Sequence, residues 1–359
     1  MVIQPRCENY STLQQLLLLC QTSDELVAGD SSMADNIRVF ARFRPLVGRD
    51  LRLSSSARAA VFDVAGNTVT LRYKDNGSKP KSNREGPSFT FDSVFDAATT
   101  QEQLHESVGR VGVQHLLEGY NSTILTYGQT GSGKTFSMYG DESTCWRDWD
   151  NDTLPRDHGL VPRVTACLLD QVGELSAKNT EIEYAITCSF LEIYNEKIKD
   201  LFDPSTKKKI RVRDTKNEGV WVHGLTQETV TTKQDVADLL RLGFGLRSVG
   251  MTLMNERSSR SHCIFILNLH QNYPDGSSKV SKLNLVDLAG SERVDRSGVE
   301  GVAMKEAQNI NKSLSCLGLC INALAEQGRH HIPYRDSSLT HLLKESLGGN
   351  AKTFLLIAL

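Results

Sequence analysis

The chain has 359 residues, 39% of them hydrophobic and 23% charged, the proportions of an ordinary soluble globular protein. A formal net charge of -2 excludes a globally basic nucleic-acid binder and leaves room only for a local basic face. The eight cysteines form no C-x-x-C pair, and the apolar run 16–20 is too short to span a membrane and lacks the basic start of a secretory signal. The expectation is a cytoplasmic protein with reduced thiols, without nucleic-acid or membrane partners.

Residues 1–35 stand apart as an N-terminal extension, a short helix over 12–27 or a partly disordered arm, broken at 29–32. From Asn36 the pattern is α/β. Ile37–Arg42 alternates as a strand and stops at Pro45. Residues 49–87 hold a small hairpin with a Lys/Gly/Ser-rich turn at 74–81. A strand over 122–127 runs into a glycine loop, and Thr135 starts the next helix. The polar, acidic stretch 141–158 reads as a surface loop. Long half-buried strands follow over 182–193 and 263–271, and another over 282–287. Residues 305–326 have helical periodicity through Ile310, Leu314, Leu317 and Ile321; 337–347 is a further helix closed by glycines, and 352–359 a last strand. Strands interleaved with helices predict one α/β domain over 36–359, with a central mixed, largely parallel sheet covered on both faces.

The segment 128–135 satisfies G-x-x-x-x-G-K-[ST] in full, through Gly128, Gln129, Thr130, Gly131, Ser132, Gly133, Lys134 and Thr135. Glycines let successive backbone N–H groups turn toward phosphate oxygens, and the following helix adds its positive end. Lys134 supplies charge for the β- and γ-phosphates, and the Thr135 hydroxyl can ligate Mg²⁺. Such a loop binds a nucleoside triphosphate but does not identify the reaction.

Two later segments narrow it. Residues 255–262 are dense in short polar donors and sit just before an apolar strand. Alone, a Ser/Arg-rich segment of this kind is more often a solvated surface turn. Asp287-Leu-Ala-Gly290-Ser-Glu292-Arg293 also ends an apolar strand, which places Asp287 to hold Mg²⁺ and lets the backbone at Gly290 approach the γ-phosphate. A carboxylate at Glu292 needs a cation near phosphates, and Arg260 is the candidate that would join the two segments.

The three segments together resemble the P-loop, switch I (N-x-x-S-S-R-S-H) and switch II (D-L-A-G-S-E) of the kinesin motor domain. Arg42-Phe-Arg44-Pro45, Ile310-Asn-Lys-Ser-Leu-Ser and His331-Ile-Pro-Tyr-Arg-Asp-Ser extend the resemblance, as does Ser346-Leu-Gly-Gly-Asn-Ala-Lys-Thr. Myosins resemble switch I as far as Ser-Ser-Arg, but Ser261-His262 and Ala289-Gly290-Ser291 favour kinesin. The resemblance implies a P-loop NTPase of the kinesin motor fold that binds ATP and Mg²⁺. By it, Arg42, Arg44, Pro45 and Phe136 lie on the adenine side, and Thr135, Ser259 and Asp287 form the metal set. Asn255, Ser258 and Gly290 position the γ-phosphate and attacking water. Glu292 accepts the proton through a second water, with Arg260 closing the gate.

The implied partner is the microtubule. Tubulin is acidic, so its contacts are sought among Lys207, Lys208, Lys209, Arg211, Arg213, Lys216, Arg293, Arg296, Lys312, Arg329 and Arg335. The Lys207–Lys209 run by itself reads as well as a solvated loop. Ser338 and His341 stand where the family commonly has Lys and Arg, which predicts weaker affinity, or affinity that depends on pH through His341. Kinesin motor domains continue beyond the last strand into a helix and neck linker, so the domain reads as C-terminally incomplete at Leu359. The leading expectation is a microtubule-stimulated ATPase motor domain. A truncated microtubule-binding relative without processive motility is the alternative, and a P-loop NTPase unrelated to microtubules the third.

Overall fold

A computed structural model describes residues 37–45, 62–72, 85–141, 149, 154–203, 205, 209–215, 219–249, 260–292, 302–326, 329, 331–349 and 351–359. The first half runs β1 (Ile37–Arg42), β2 (Phe62–Ala65), β3 (Thr68–Arg72), β4 (Glu85–Thr90), β5 (Ser93–Phe95), α1 (Gln101–Leu104), α2 (Arg110–Glu118), β6 (Asn121–Tyr127), α3 (Lys134–Tyr139) and α4 (Leu160–Lys178). A π-helical turn, His105–Gly109, joins α1 to α2. There follow β7 (Glu183–Tyr194), β8 (Lys197–Asp200), β9 (Arg211–Thr215), β10 (Gly219–His223), β11 (Glu228–Val230) and α5 (Lys233–Val249). The chain then forms β12 (His262–Asn272), β13 (Ser278–Asp287), α6 (Val302–Ala325), α7 (Ser338–Leu342), α8 (Lys344–Gly348) and β14 (Ala351–Ala358).

Nine strands form the central sheet in the order β11-β7-β12-β13-β6-β14-β1-β5, with β8 beside β7. The strands β13, β6, β14, β1 and β5 are mutually parallel; β12 runs against β13 and β7 runs against β12, so β7 shares the direction of the parallel block. The sheet is mixed and largely parallel. Period-two side-chain alternation explains why it is covered on both sides. Along β12, Cys263, Phe265, Leu267 and Leu269 enter one core while Ile264 and Ile266 enter the other. Along β14, Phe354 and Leu356 face the first, Leu355 and Ile357 the second. The first core is closed by α2, α4 and α5 through Leu116, Val164, Leu168, Leu240 and Phe244. The second is closed by α6, α7 and α8 through Leu314, Leu317, Ile321, Leu339 and Leu347.

Several expectations change in detail. The hairpin within 49–87 carries a third strand, giving the sheet β2-β3-β4. The single helix expected over 337–347 is two short ones, because Leu343 leaves helical geometry at φ -87 and ψ 8. The stretch 141–158 is not wholly at the surface: Trp149 and His158 are buried, their rings 5.9 Å apart. The helices α4 and α5 carried no strong sequence signal and emerge only in the fold. Cys188, Cys263, Cys316 and Cys320 are buried free thiols, as expected of core cysteines. The extension 1–35 and the turn 74–81 lie outside the described residues.

Ser337 caps α7 by accepting the Thr340 N–H at 3.1 Å, and its own side chain is buried. Ser337→Ala removes that acceptor and is expected to cost about 1 kcal/mol, read as a lower urea midpoint at unchanged slope. An unaltered midpoint would show that the cap contributes nothing.

Candidate active site

Parallel pairing gathers the site. The register sets Asp287 beside Thr126, Tyr127 beside Ile357, and Arg42 beside Ala358, so the carboxyl ends of β13, β6, β14 and β1 open on one edge of the sheet. Because β12 is antiparallel, its first residue, His262, arrives at the same edge, next to the partners Cys263 and Asp287. Ligand sites of open α/β sheets form at this edge.

The loop from Gly128 to Gly133 makes its turns on three left-handed glycines, at φ 154, 80 and 98 for Gly128, Gly131 and Gly133. A Cβ at Gly128 would stand 2.4 Å from the Ala358 carbonyl oxygen, whereas one at Gly131 would meet nothing within 4 Å. The loop is thus pressed onto β14 at its start and open at its crest. Ser132 Oγ is buried and has no hydrogen-bond partner among the described residues. Gly133 leads into α3, whose first residue, Lys134, is buried and donates to the Gln129 carbonyl at 2.9 Å. Burial pushes the Lys134 ammonium below the ordinary lysine value, opposed by the carboxylates of Asp287 and Glu292.

Thr135 donates through Oγ1 to Asp287 Oδ2 at 2.7 Å, and Thr126 donates to Asp287 Oδ1 at 3.3 Å. Asp287 is buried, and desolvation raises its pKa against Arg247, Thr135 and Lys134. Arg247 on α5 forms an ion pair with Glu192 of β7 at 3.9 Å, both side chains buried. Beyond Asp287, the Ser291 N–H donates to the Gly128 carbonyl at 3.1 Å. Glu292 reaches across to the loop, where its carboxylate accepts the Thr130 N–H at 2.8 Å and the Thr130 hydroxyl. Gly290 is compelled by size: a Cβ there would lie 2.4 Å from both Glu292 Oε1 and Thr130 Oγ1. Arg260 is half-buried at the entrance to β12. Asn255, Ser258 and Ser259 lie outside the described residues.

On the far side of the loop, Arg42 is buried and turned inward. It donates to Gln101 Oε1 at 2.9 Å and Ser137 Oγ at 2.8 Å, and burial lowers its pKa to about 10. Its guanidinium carbon sits 5.8 Å from the centre of the Phe136 ring, which is 41% exposed. Pro45 is exposed nearby in sequence, and the Arg44 N–H donates to Leu359 at the sheet edge. Gln101 escaped sequence reading. It accepts from Arg42 and donates to the Phe136 carbonyl at 2.6 Å, so it ties the rim of the loop helix to β1. Only its place in the first turn of a helix could have drawn notice to it.

Among the basic residues sought for a partner, Lys209, Arg211, Arg213, Lys312, Arg329 and Arg335 are described and exposed. The hairpin β9–β10, α6 and the segment before α7 carry them, and all three pack on the second core. Lys207, Lys208, Lys216, Arg293 and Arg296 lie outside the described residues. Ser338 does not project as a charge would. Its N–H and hydroxyl are bonded to Glu196 at 2.7 and 2.9 Å.

A family model for the kinesin motor domain matches residues 42–359. Kinesin-related protein 5 of Dictyostelium discoideum is 44% identical over 90% of this chain and 30% of its own length. Kinesin-like protein KIN-12B of Oryza sativa subsp. japonica is 47% identical over 86% of this chain and 28% of its own length. Its Arabidopsis thaliana namesake is 46% identical over 99% of this chain and 26% of its own length. The chain thus spans between a quarter and a third of these relatives. A solved structure described as that of a fast kinesin superposes with a TM-score of 0.78 at 39% identity, covering 92% of this chain and 86% of the other.

Gln101→Leu would leave a buried guanidinium short of one acceptor. The expected loss is about 2 kcal/mol, that of a hydrogen bond to a charged group. Chemical denaturation measures it, and a wild-type midpoint would mean that Ser137 and the Thr99 carbonyl satisfy Arg42 without Gln101.

Proposed function

Since the chain belongs to the kinesin motor-domain family, we propose that it is a Mg²⁺-dependent ATPase whose turnover is stimulated by microtubules and coupled to movement along them. One observation carries the enzymatic part: Lys134, the Thr135–Asp287 pair and the Thr130–Glu292 pair meet at one edge of the sheet. That meeting supports the reading of these residues as phosphate loop, metal carboxylate and γ-phosphate sensor.

The donor set fits Mg²⁺. The Thr135 hydroxyl and the Asp287 carboxylate are hard oxygen ligands within 2.7 Å of one another, beside an open loop crest. Thr135 and, in the family pattern, Ser259 would hold the ion, with Asp287 behind them through water. When bound, Mg²⁺ neutralises charge on the β- and γ-phosphate oxygens. Lys134 leaves the Gln129 carbonyl for the phosphates. The N–H groups from Thr130 to Thr135 take the oxygens that approach the loop. Asn255, Ser258 and Gly290 orient the water for in-line attack, and Glu292, once off Thr130, receives its proton through a second water. Arg260 closes over that arrangement. The exposed Phe136 ring and Pro45 offer the base an apolar seat, while Arg42 braces the seat from beneath and Arg44 flanks the loop.

The microtubule contacts are assigned to Lys209, Arg211, Arg213, Lys312, Arg329 and Arg335, together with Lys207, Lys208, Lys216, Arg293 and Arg296. Such binding weakens as salt rises. It sets the protein on the cytoplasmic microtubule cytoskeleton. Among the described residues no helix is long and apolar enough to cross a membrane.

ATP turnover measured with and without microtubules tests the whole reading; a rate indifferent to saturating microtubules would remove the partner. Glu292→Ala should still bind ATP but hydrolyse it slower by about 10²-fold or more, the usual worth of a general base. Turnover at the wild-type rate would take Glu292 out of the mechanism.

His341 yields a pH prediction. Desolvation, then Arg335 and Lys344, lower its pKa, and Asp214 opposes them only in part. The cation therefore forms below the ordinary value of about 6.5, and the ring is neutral above it. Co-sedimentation is expected to stay flat between about pH 7 and 8, with any His341-dependent gain confined to more acidic solution. A gain that begins above pH 7 and disappears in His341→Gln would contradict this.

A further inference from the structure

The hydrogen bonds of His262 join three elements at one fully buried ring. The Ala289 N–H, in the segment after Asp287, donates to His262 Nδ1 at 3.0 Å. The other ring nitrogen, Nε2, lies 2.7 Å from Ser313 Oγ on α6, and Ser313 is itself buried. A backbone N–H can only donate, so Nδ1 must be the acceptor. The proton of the neutral ring therefore sits on Nε2 and points at the Ser313 hydroxyl. His262 opens β12, directly after the polar sequence segment 255–261. One ring thus contacts the γ-phosphate-side segment and the helix on the partner-facing core, and it is anchored in the strand between them.

We propose that His262 is a positioning residue that transmits the state of the nucleotide site to α6, with Ser313 as its receiver on the helix. The inference rests on the ATPase reading above and names the atoms of the transmission. Movement of the Ala289 backbone, whose neighbour Gly290 leaves no room for a Cβ beside Glu292 and Thr130, pulls on Nδ1. Because the imidazole is rigid and planar, a shift at one nitrogen displaces the other. The link stays in one tautomer over the working pH range, since burial and nearby Lys134 lower the His262 pKa to about 3. It acts as a fixed strut and not as a titrating switch.

Alternative homes for this role are weaker. The Arg247–Glu192 pair is as buried but connects α5 to β7, away from α6. The Thr130–Glu292 contact stays within the nucleotide side.

The test uses two variants that cut the same bond from opposite ends. Ser313→Ala removes the receiving hydroxyl. His262→Asn keeps an acceptor for the Ala289 N–H but is too short to reach Ser313. Amide hydrogen exchange of 312–325 is compared in ADP and in a non-hydrolysable ATP analogue, without microtubules. In the wild type the exchange should differ between the two states, and in Ser313→Ala that difference should vanish while basal turnover persists. With microtubules, the ratio of affinities in the two nucleotide states should collapse by about tenfold, the middle of the usual range of coupling between sites. His262→Asn should reproduce Ser313→Ala; if it does not fold, Ser313→Ala decides alone. Wild-type nucleotide sensitivity of α6 in Ser313→Ala overturns the proposal, and so does a wild-type α6 that ignores the nucleotide. A protein that never binds microtubules but loses the exchange difference in Ser313→Ala would sink the motor reading and leave the strut standing.

Discussion

The parallel pairing of β6 between β13 and β14 is the constraint from which the rest follows. It fixes Thr126 opposite Asp287, and Tyr127 opposite Ile357, so the glycine loop leaves the sheet at the level where the Asp287 carboxylate ends its own strand. A slip of one residue would send Asp287 to the opposite face and break its contact with Thr135. The register is held by hydrophobic alternation on both faces, with Ile124, Leu285 and Phe354 on one side and Leu125, Val286 and Leu355 on the other. The cores do more than stabilise the sheet. They set the position of the chemistry to within a fraction of a residue.

Charge is the second constraint. Lys134, Asp287, Arg247 and Glu192 are all buried within the same part of the molecule. Isolated ions at such depth would cost several kcal/mol each. Here they are arranged so that each faces an opposite charge or a fixed dipole: Lys134 lies near Asp287 and Glu292, and Asp287 near Thr126, Thr135 and Arg247. Removing one member strands another, which is why these side chains belong to the fold as much as to the site. The same low dielectric strengthens any interaction with a phosphate placed among them.

How far the residues alone disclosed this depends on the kind of signal. Strands with two-sided burial, β1, β6, β12 and β14, are legible within a residue or two because each is an apolar run with a marked boundary: Pro45 after β1, Gly128 after β6, the polar segment before β12 and the glycines before β14. The phosphate loop was legible because backbone geometry at Gly128 and Gly133 tolerates few other residues. Helices α4 and α5 were not, since they carry internal glycines (Gly173, Gly243, Gly245) and polar residues, and gain stability from packing on Phe190 and Leu116 that no local pattern announces. Trp149 was read as part of a polar loop because its neighbours are acidic; tertiary burial overrode that context. Gln101 and Ser313 act through partners distant in sequence, Arg42 and His262, and nothing in their own neighbourhoods names those partners.

Lys134, Thr135 and the Thr130 N–H are already bonded to other groups of the site, and this shapes how the protein can respond to a nucleotide. Lys134 rests on the Gln129 carbonyl, Thr135 on Asp287, and the Thr130 N–H on Glu292. On the proposed function, phosphate and metal would enter by exchange of partners, each exchange relieving a bond in the protein while making one to the ligand. The exchanges are unequal in consequence. Lys134 can turn about its side chain, and Thr135 can rotate its hydroxyl, with little displacement of backbone. Glu292 stands apart, because its neighbour Ser291 is bonded to the Gly128 carbonyl and a Cβ at Gly290 would meet both Glu292 and Thr130, so this segment lies against the loop through backbone as well as side chain. On the proposed transmission, release at Glu292 lets the segment 288–292 shift, and the Ala289 N–H shifts with it. On that proposal the fold would convert the arrival of charge at a loop into displacement of backbone next to a buried histidine, with the rest of the sheet fixed by its two cores.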